Sequence, residues 1–370
     1  MSEQEEQGRE QDIANEALER LEWSDAKQDA SPHSKARAVT RRAALGGGAG
    51  ALAAFMLSPA AEALAASSTS IFGAQKKYHF VFVNHVTTNT FFTATKYGIA
   101  DACNLLGCTW TWTGSENSNV AQMVTAFNSA ITSGADGIAC AMIDPKAFTP
   151  LVATALGKGI PVVSYNADEP NGRLAYIGED LEQSGVLLGG HILQLVGSGD
   201  VAVFIATPGT ANIQPRADGV LSALKGTKVK ATQFASGALQ PAELSAIEAF
   251  WPGHTSYKGL FAVDSGSTIS CGQTIQKYNL KGKVKAGGYD LTVPTPTLLQ
   301  EGFLDVTIDQ QPYLQGFLPV LEMFMYHASD GLSGIADINT GLKFVTPDTV
   351  SGYVTKKSRF EGSSTKPGVS

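Results

Sequence analysis

Cysteine is scarce. The four present, Cys103, Cys108, Cys140 and Cys271, form no Cys-x-x-Cys pair and no zinc-finger spacing, so a structural zinc module is excluded. They fit two readings: small buried residues or, for Cys103 and Cys108, a pair near a helix end that an exported protein would oxidise. Charge is also low. Asp, Glu, Lys and Arg make up 16% of the chain against 43% hydrophobic residues, which excludes a disordered chain. The net charge is −7, of which residues 1–42 carry −3, Glu62 −1 and the rest −3. That near-neutral body has no basic stripe, which argues against a nucleic-acid partner. No Gly-x-x-x-x-Gly-Lys-Ser/Thr loop occurs. Neither a cofactor nor a metal is expected. What remains is a globular chain of 370 residues, too long for one typical domain and comfortable for two.

The front end reads as an address. Residues 1–39 are acidic, Gln-rich and poor in apolar anchors. Thr40-Arg41-Arg42-Ala43-Ala44-Leu45 then opens an uncharged Ala/Gly-rich stretch to Ala61, followed by the small-x-small pattern Ala63-Leu64-Ala65. This resembles a twin-arginine export signal. Gly46-Gly47-Gly48 and the low Leu/Ile content disfavour a membrane span, and no Cys ends the apolar core to take a lipid. The expectation is a signal over residues 1–65 and a mature chain outside the cytoplasmic membrane, in the periplasm or on the membrane's outer face.

After a Ser/Thr-rich joint at residues 67–70, strand-like and helical stretches alternate. Strands are expected near 78–83, 108–113, 137–143, 160–164, 174–178, 200–206, 228–234, 259–263, 284–289 and 304–308. Val120, Val124, Phe127 and Ile131 form a helical stripe, and Leu187, Ile192 and Leu195 mark a second helix over 184–196. Regular alternation implies parallel sheets covered by helices on both faces. The expected class is therefore α/β, with two Rossmann-like doubly wound lobes joined by a hinge. One lobe would comprise 74–178 with a return over 311–340, and the other 179–310. A C-terminal segment over 341–370 would end in a loose Ser/Lys/Gly-rich tail from Thr355.

The strand-like runs keep ending in residues that bind hydroxyls. Asn84-His85 and Asn89-Thr90-Phe91-Phe92 follow the first run, Asn166-Ala167-Asp168 the fourth, Asp264-Ser265 the eighth, Asp290 the ninth and Asp309-Gln310-Gln311 the tenth. Ligands of open α/β sheets bind beyond the carboxyl ends of the strands. Such ends imply a polar small-molecule site.

These residues also resemble a family. Asn-x-Phe-Phe after the first strand, Ile-Pro-Val-Val-x-x-Asn, Gly-Gly-Tyr-Asp and Gln-Gln-Pro-Tyr-x-Gln-Gly, in that order, look like the solute-binding proteins of bacterial sugar ABC transporters, of the ribose-binding type. The resemblance runs from about Tyr78 to about Val350 and implies the periplasmic binding protein type I fold. It also implies a ligand site of Asn89, Phe91, Phe92, Asn166, Asp264, Asp290 and Gln310. Core packing is the alternative for each Phe, and a helix N-cap the alternative for Asp264 and Asp290. An Arg of the family falls in the stretch Thr210–Arg216, where either Arg216 by chemistry or Gln214 by register is its counterpart. The alternative for Arg216 is a cap or salt bridge on the lobe surface. The family's Asp-Arg pair is replaced here by Asn166-Ala167, and Asp264 stands where many relatives have Asn.

Carboxylates accept, Arg donates and amides do both, which suits hydroxyls. The two departures make the site more accepting. They favour a short alditol or a pentose-sized sugar, captured by a monomer that closes by hinge motion and presents the closed form to an ABC permease. One rival is a sensor that presents its closed form to a receptor. Another is a sugar-cleaving enzyme, which needs two carboxylates across the scissile bond. Asp264 and Asp290 are candidates, but no activated His or nucleophile accompanies them. A repressor with the same two-lobe core would need an N-terminal helix-turn-helix where this chain has its signal-like segment.

Overall fold

Ten apolar runs become ten strands; the inner ones bury nearly every position because parallel strands are covered on both faces, whereas the two at 109–114 and 229–235 stay largely half-exposed. In the computed structural model, which describes Phe72–Ser370 except Pro145, Glu169 and Ile335, they form two sheets. The segment expected to be an export signal lies outside the described residues. Contacts divide the chain into Met1–Lys76 and Lys77–Ser370, and both sheets belong to the second unit.

The first sheet contains β1 (His79–Asn84), β2 (Thr109–Gly114), β3 (Gly137–Cys140), β4 (Val162–Tyr165), β5 (Tyr176–Gly178) and β11 (Ile338–Asn339), in the order β11-β5-β4-β3-β1-β2. The second contains β6 (Gly199–Ile205), β7 (Val229–Ala235), β8 (Gly259–Ala262), β9 (Lys285–Tyr289), β10 (Val306–Asp309) and β12 (Lys343–Val345), in the order β12-β10-β9-β8-β6-β7. The two orders correspond strand for strand. All pairs are parallel except β10 with β12. In each sheet the strand order reverses beside the lobe's first strand, and ligands bind at such switch points. The edge strands β11 and β12 are two and three residues long and carry no apolar run, so periodicity does not announce them.

Each lobe has its own core. Val81, Phe127, Ile138 and Phe148 anchor the first, and Phe204, Ile247, Leu260 and Ile275 the second. Phe127 and Ile131 of the expected stripe are buried on α2 (Val120–Thr132). Of the second stripe only Ile192 is fully buried on α4 (Leu181–Val196), beside Leu188 and two glycines. All four cysteines are free and buried. Burial pushes the Cys103 thiol up to about 12 and the Cys108 thiol up to about 11, so both stay protonated and unreactive at neutral pH.

The chain passes between the sheets after Gly178, after Asp309 and after Asn339. The middle crossing feeds α9 (Leu314–Ala328), which packs on α1 (Phe92–Leu106) backbone to backbone. A Cβ on Gly316 would lie 2.0 Å from the Thr95 carbonyl oxygen, and one on Gly98 2.1 Å from that of Tyr313. This seating fixes the first turn of α9 under the crossings.

The tail is not loose. Arg359 pairs with Asp101 of α1 at 2.7 Å and lies 4.3 Å from the Tyr97 ring centre, and Phe360 meets the Tyr313 ring edge-on at 4.8 Å. One Arg and one Phe anchor a segment whose composition otherwise reads as solvated. Among the described residues, no helix is long and apolar enough to cross a membrane.

Candidate functional site

In the first lobe, β1 runs into a polar turn. Asn84 donates from Nδ2 to the Tyr165 hydroxyl at 2.9 Å. Asn89 Oδ1 accepts from the Phe91 N–H at 2.9 Å in the turn that leads into α1. Phe92 is 2% exposed. It packs among His85, Phe91 and Trp112, with ring centres 5.4, 4.8 and 5.7 Å away. Phe92 is therefore a core residue, whereas Phe91 reaches a cavity wall.

In the second lobe, Asp264 is both a cap and a cleft residue. Its Oδ1 accepts from Ser267 N at 2.9 Å, capping α7 (Ser265–Lys277), and its Oδ2 accepts from Ala206 N at 2.9 Å. Asp290 is no helix cap. It sits at a left-handed φ of 74° after β9 and accepts from Gln310 Nε2 at 2.8 Å. Gln310 Oε1 in turn accepts from Gln315 Nε2 at 3.1 Å, and Gln315 Oε1 from Asn166 Nδ2 at 3.3 Å. This buried chain of amides runs from the end of β4 in one lobe to the end of β9 in the other.

Arg216, on α5 (Gln214–Leu224), is 3% exposed. It donates from Nε and Nη2 to the buried Glu179 carboxylate and from Nη1 to the Val263 carbonyl at 3.1 Å, and its guanidinium lies 4.2 Å over the Tyr289 ring. The ion pair foreseen as a surface alternative is thus a buried one, and it occupies the donors that a ligand would use. Gln214 is tied down within its own lobe. It accepts from Gly209 N at 2.9 Å and donates to Asp218 at 2.8 Å.

Two cavities lie between the lobes. The larger, about 450 Å³, is lined by His85 and Asn89 from the first lobe and by Asn212, Glu243, Asp264 and Gln273 from the second. The smaller, about 300 Å³, is lined by Phe91, Thr93, Asp290, Thr292, Tyr353 and Ser363. The lobes also touch where Ala211 N donates to Ile143 O at 3.0 Å and Asn212 Nδ2 lies 3.4 Å from His85 Nε2. Asn89, Asp264, Phe91 and Asp290 therefore face the cavities. Phe92, Asn166, Arg216 and Gln310 stand behind the walls, and Gln214 lies apart.

Burial sets the charges. It pushes the Asp290 carboxyl up to about 7, against the pull of Arg216 and the hydrogen bond from Gln310. It lowers His85 to about 4, so the imidazole is neutral at pH 7. Glu243, on α6 (Gln240–Phe250), is pushed up to about 9 by burial and by the charge of Asp264. Asp264 holds two backbone N–H groups and Glu243 none, which puts the shared proton on Glu243.

His85, Asn212 and Glu243 were not among the expected ligand residues. His85 lay within the first strand-end cluster. Glu243 reads in sequence as an acidic residue in a helix's first turn, a position that the helix dipole alone explains.

A profile of the periplasmic binding protein domain matches residues 80–329. The chain belongs to that family. The Xylose/arabinose-binding protein XylF of Sulfolobus acidocaldarius is 48% identical over 305 residues, covering 78% of this chain and 75% of that protein. The D-ribose/D-allose-binding protein of Pseudomonas aeruginosa is 26% identical over 204 residues, covering 53% and 64%. Among solved structures, an ABC transporter solute-binding protein of Burkholderia graminis in complex with D-arabinose superposes with a TM-score of 0.71 at 24% identity, over 76% of this chain and 99% of that one. The glucose-galactose binding protein GanP of Geobacillus stearothermophilus reaches 0.69 at 22% identity, over 75% and 100%. These likenesses of periplasmic binding proteins confirm the type I fold expected from the alternating strands and helices.

Two predictions follow from the charges. Arg216→Met leaves Glu179 as an unpaired buried carboxylate and should cost about 3–5 kcal/mol in urea unfolding. The double variant with Glu179→Leu should be less destabilised than Arg216→Met alone. The second concerns Glu243. The folded protein keeps its proton up to about 9 and the unfolded chain releases it near the ordinary value of 4.5. Stability from the protonated carboxyl is therefore complete below 4.5 and is lost as pH rises toward 9. The melting temperature of Glu243→Gln should gain on the natural protein from pH 5 to about pH 9 and then level off. A gap that stays constant across that range would mean that Glu243 is ionised in the fold.

Proposed function

We propose that this protein captures a neutral, pentose-sized sugar between its two lobes and delivers it to an ABC permease. The carrying observation is the cavity of about 450 Å³ walled by both lobes, a volume within the range of small-molecule sites. Its wall is rich in acceptors: Asp264, Asn89, Asn212 and Gln273. Membership of the periplasmic binding protein family supports the reading, as does 48% identity to a xylose/arabinose-binding protein.

Asn89, Asp264, Phe91 and Asp290 are the proposed contacts. Phe92, Asn166, Arg216 and Gln310 support them from behind. A pentose is favoured over a short alditol by that relative, although the acceptor-rich wall suits both. The two lobes over 74–178 with 311–340 and over 179–310, and the segment 341–370, are the proposed division. Residues 1–65, with Thr40-Arg41-Arg42, are the proposed twin-arginine-type export signal, and the exported protein acts as a monomer. Binding rather than catalysis suits a wall in which Asp264 is committed to two backbone N–H groups.

Titration calorimetry and thermal shift with D-xylose, L-arabinose, D-ribose, D-glucose, xylitol and erythritol test this. Pentoses should bind one to one and stabilise the fold by about 2.7 kcal/mol at a hundredfold excess over Kd. Stabilisation by polyols alone would replace the pentose with an alditol, and binding of none would overturn the reading.

A further inference from the structure

The larger cavity has one end that no expected contact explains. Glu243 is 4% exposed and His85 6%; His85 Nδ1 has no partner in the protein, and the Glu243 carboxyl has none beyond the proton it shares with Asp264. Asn212 Oδ1 is likewise unpartnered. All three residues line the same cavity, His85 from the first lobe and the others from the second. A buried polar atom left unpaired costs about 1–3 kcal/mol, so His85 Nδ1 and Asn212 Oδ1, beside the Glu243 carboxyl, mark groups that something else completes.

The backbone is shaped to admit this. A Cβ on Gly266 would lie 1.8 Å from Glu243 Oε2. Only glycine in the first turn of α7 leaves room for the Glu243 carboxyl beside Asp264. With Asn212 Nδ2 donating to His85 Nε2, the neutral ring carries its proton on Nδ1. The end of the cavity thus offers one ring N–H donor and two acceptors.

We propose that Glu243, His85 and Asn212 form a second hydroxyl-reading cluster of the cleft, which holds adjacent hydroxyls of a neutral sugar and excludes sugar acids. The inference rests on the sugar-binding reading and names the end of the site that sets its specificity. A hydroxyl both donates and accepts, so it satisfies Nδ1–H and an acceptor oxygen together. A sugar carboxylate or phosphate brings a negative charge against Asp264, with Glu243 beside it and no cation on that wall. The other charged group acting on this corner is Arg216, which is committed to Glu179. Burial raises Asp264, and the backbone N–H groups of Ser267 and Ala206 oppose that rise. Through neutrality Glu243 stays the protonated partner.

The test is calorimetry of Glu243→Leu, Glu243→Gln and the natural protein at pH 7 with D-xylose, L-arabinose, D-galacturonate and D-glucosamine, after circular dichroism shows each folded. Glu243→Leu should weaken pentose binding by about tenfold or more. Glu243→Gln, which keeps an accepting oxygen, should restore it to within about threefold. The natural protein should not bind the uronate. Equal pentose affinity in all three proteins, uronate binding, or glucosamine binding tighter than any neutral sugar would overturn the cluster and leave the sugar-binding reading standing. If Glu243→Leu does not fold, a Glu243→Gln protein that binds pentose more than about tenfold more weakly overturns the proposal. No binding of any sugar by the natural protein would remove the sugar-binding reading, and this inference with it.

Discussion

One buried guanidinium balances the charge of the cleft. Arg216 pairs with Glu179, lies over Tyr289 and lowers the cost of ionising Glu179, Asp264 and Asp290. Glu179 and Asp290 are buried and Asp264 is half-buried, and loss of solvent pushes all three upward. Without the cation, three acids at the ends of β5, β8 and β9 would compete for protons and the cleft would lose its fixed pattern of acceptors. Glu179 stands where the chain first leaves the first sheet, so the same pair fastens the second lobe to the root of a crossing. A residue that resembles a ligand-gripping Arg in sequence is paired here with a buried acid and lines neither cavity.

The amide chain Asn166–Gln315–Gln310–Asp290 is the complementary device. Amides donate and accept without charge, so three of them carry the line from the first lobe to a single buried carboxyl, Asp290, in the second. The reciprocal glycines of α1 and α9 hold Gln315 at the first turn of α9, and the crossing holds Gln310. The fold therefore supplies a hydrogen-bonded floor under the cleft, while the walls come from the strand-end loops of both lobes. Lobe closure about such crossings is the familiar hinge movement of two-lobe binders.

Much of this was legible in the residues. The α/β class and the two sheets followed from ten apolar runs separated by helical stripes. Asp264 was readable twice over, as a cap and as a cleft acid, and the structure gives it both jobs. Four things were not legible. The edge strands β11 and β12 are too short to show a period. The tail's anchoring depends on Asp101, Tyr97 and Tyr313, more than forty residues away in sequence. Whether Arg216 is paired or free depended on the position of Glu179, because only a partner's location tells a buried ion pair from a free donor. Glu243 was hidden for a similar reason, since its burial depends on Gly266 leaving space on the next helix.

The central claim is that ligand sits between the lobes, against acids tuned by Arg216. A crystal structure of the protein grown with D-xylose tests it most directly. The sugar should lie in the cavity beneath Asn89 and Asp264, touching side chains from both lobes. A sugar bound on one lobe alone, or outside that cavity, would contradict it.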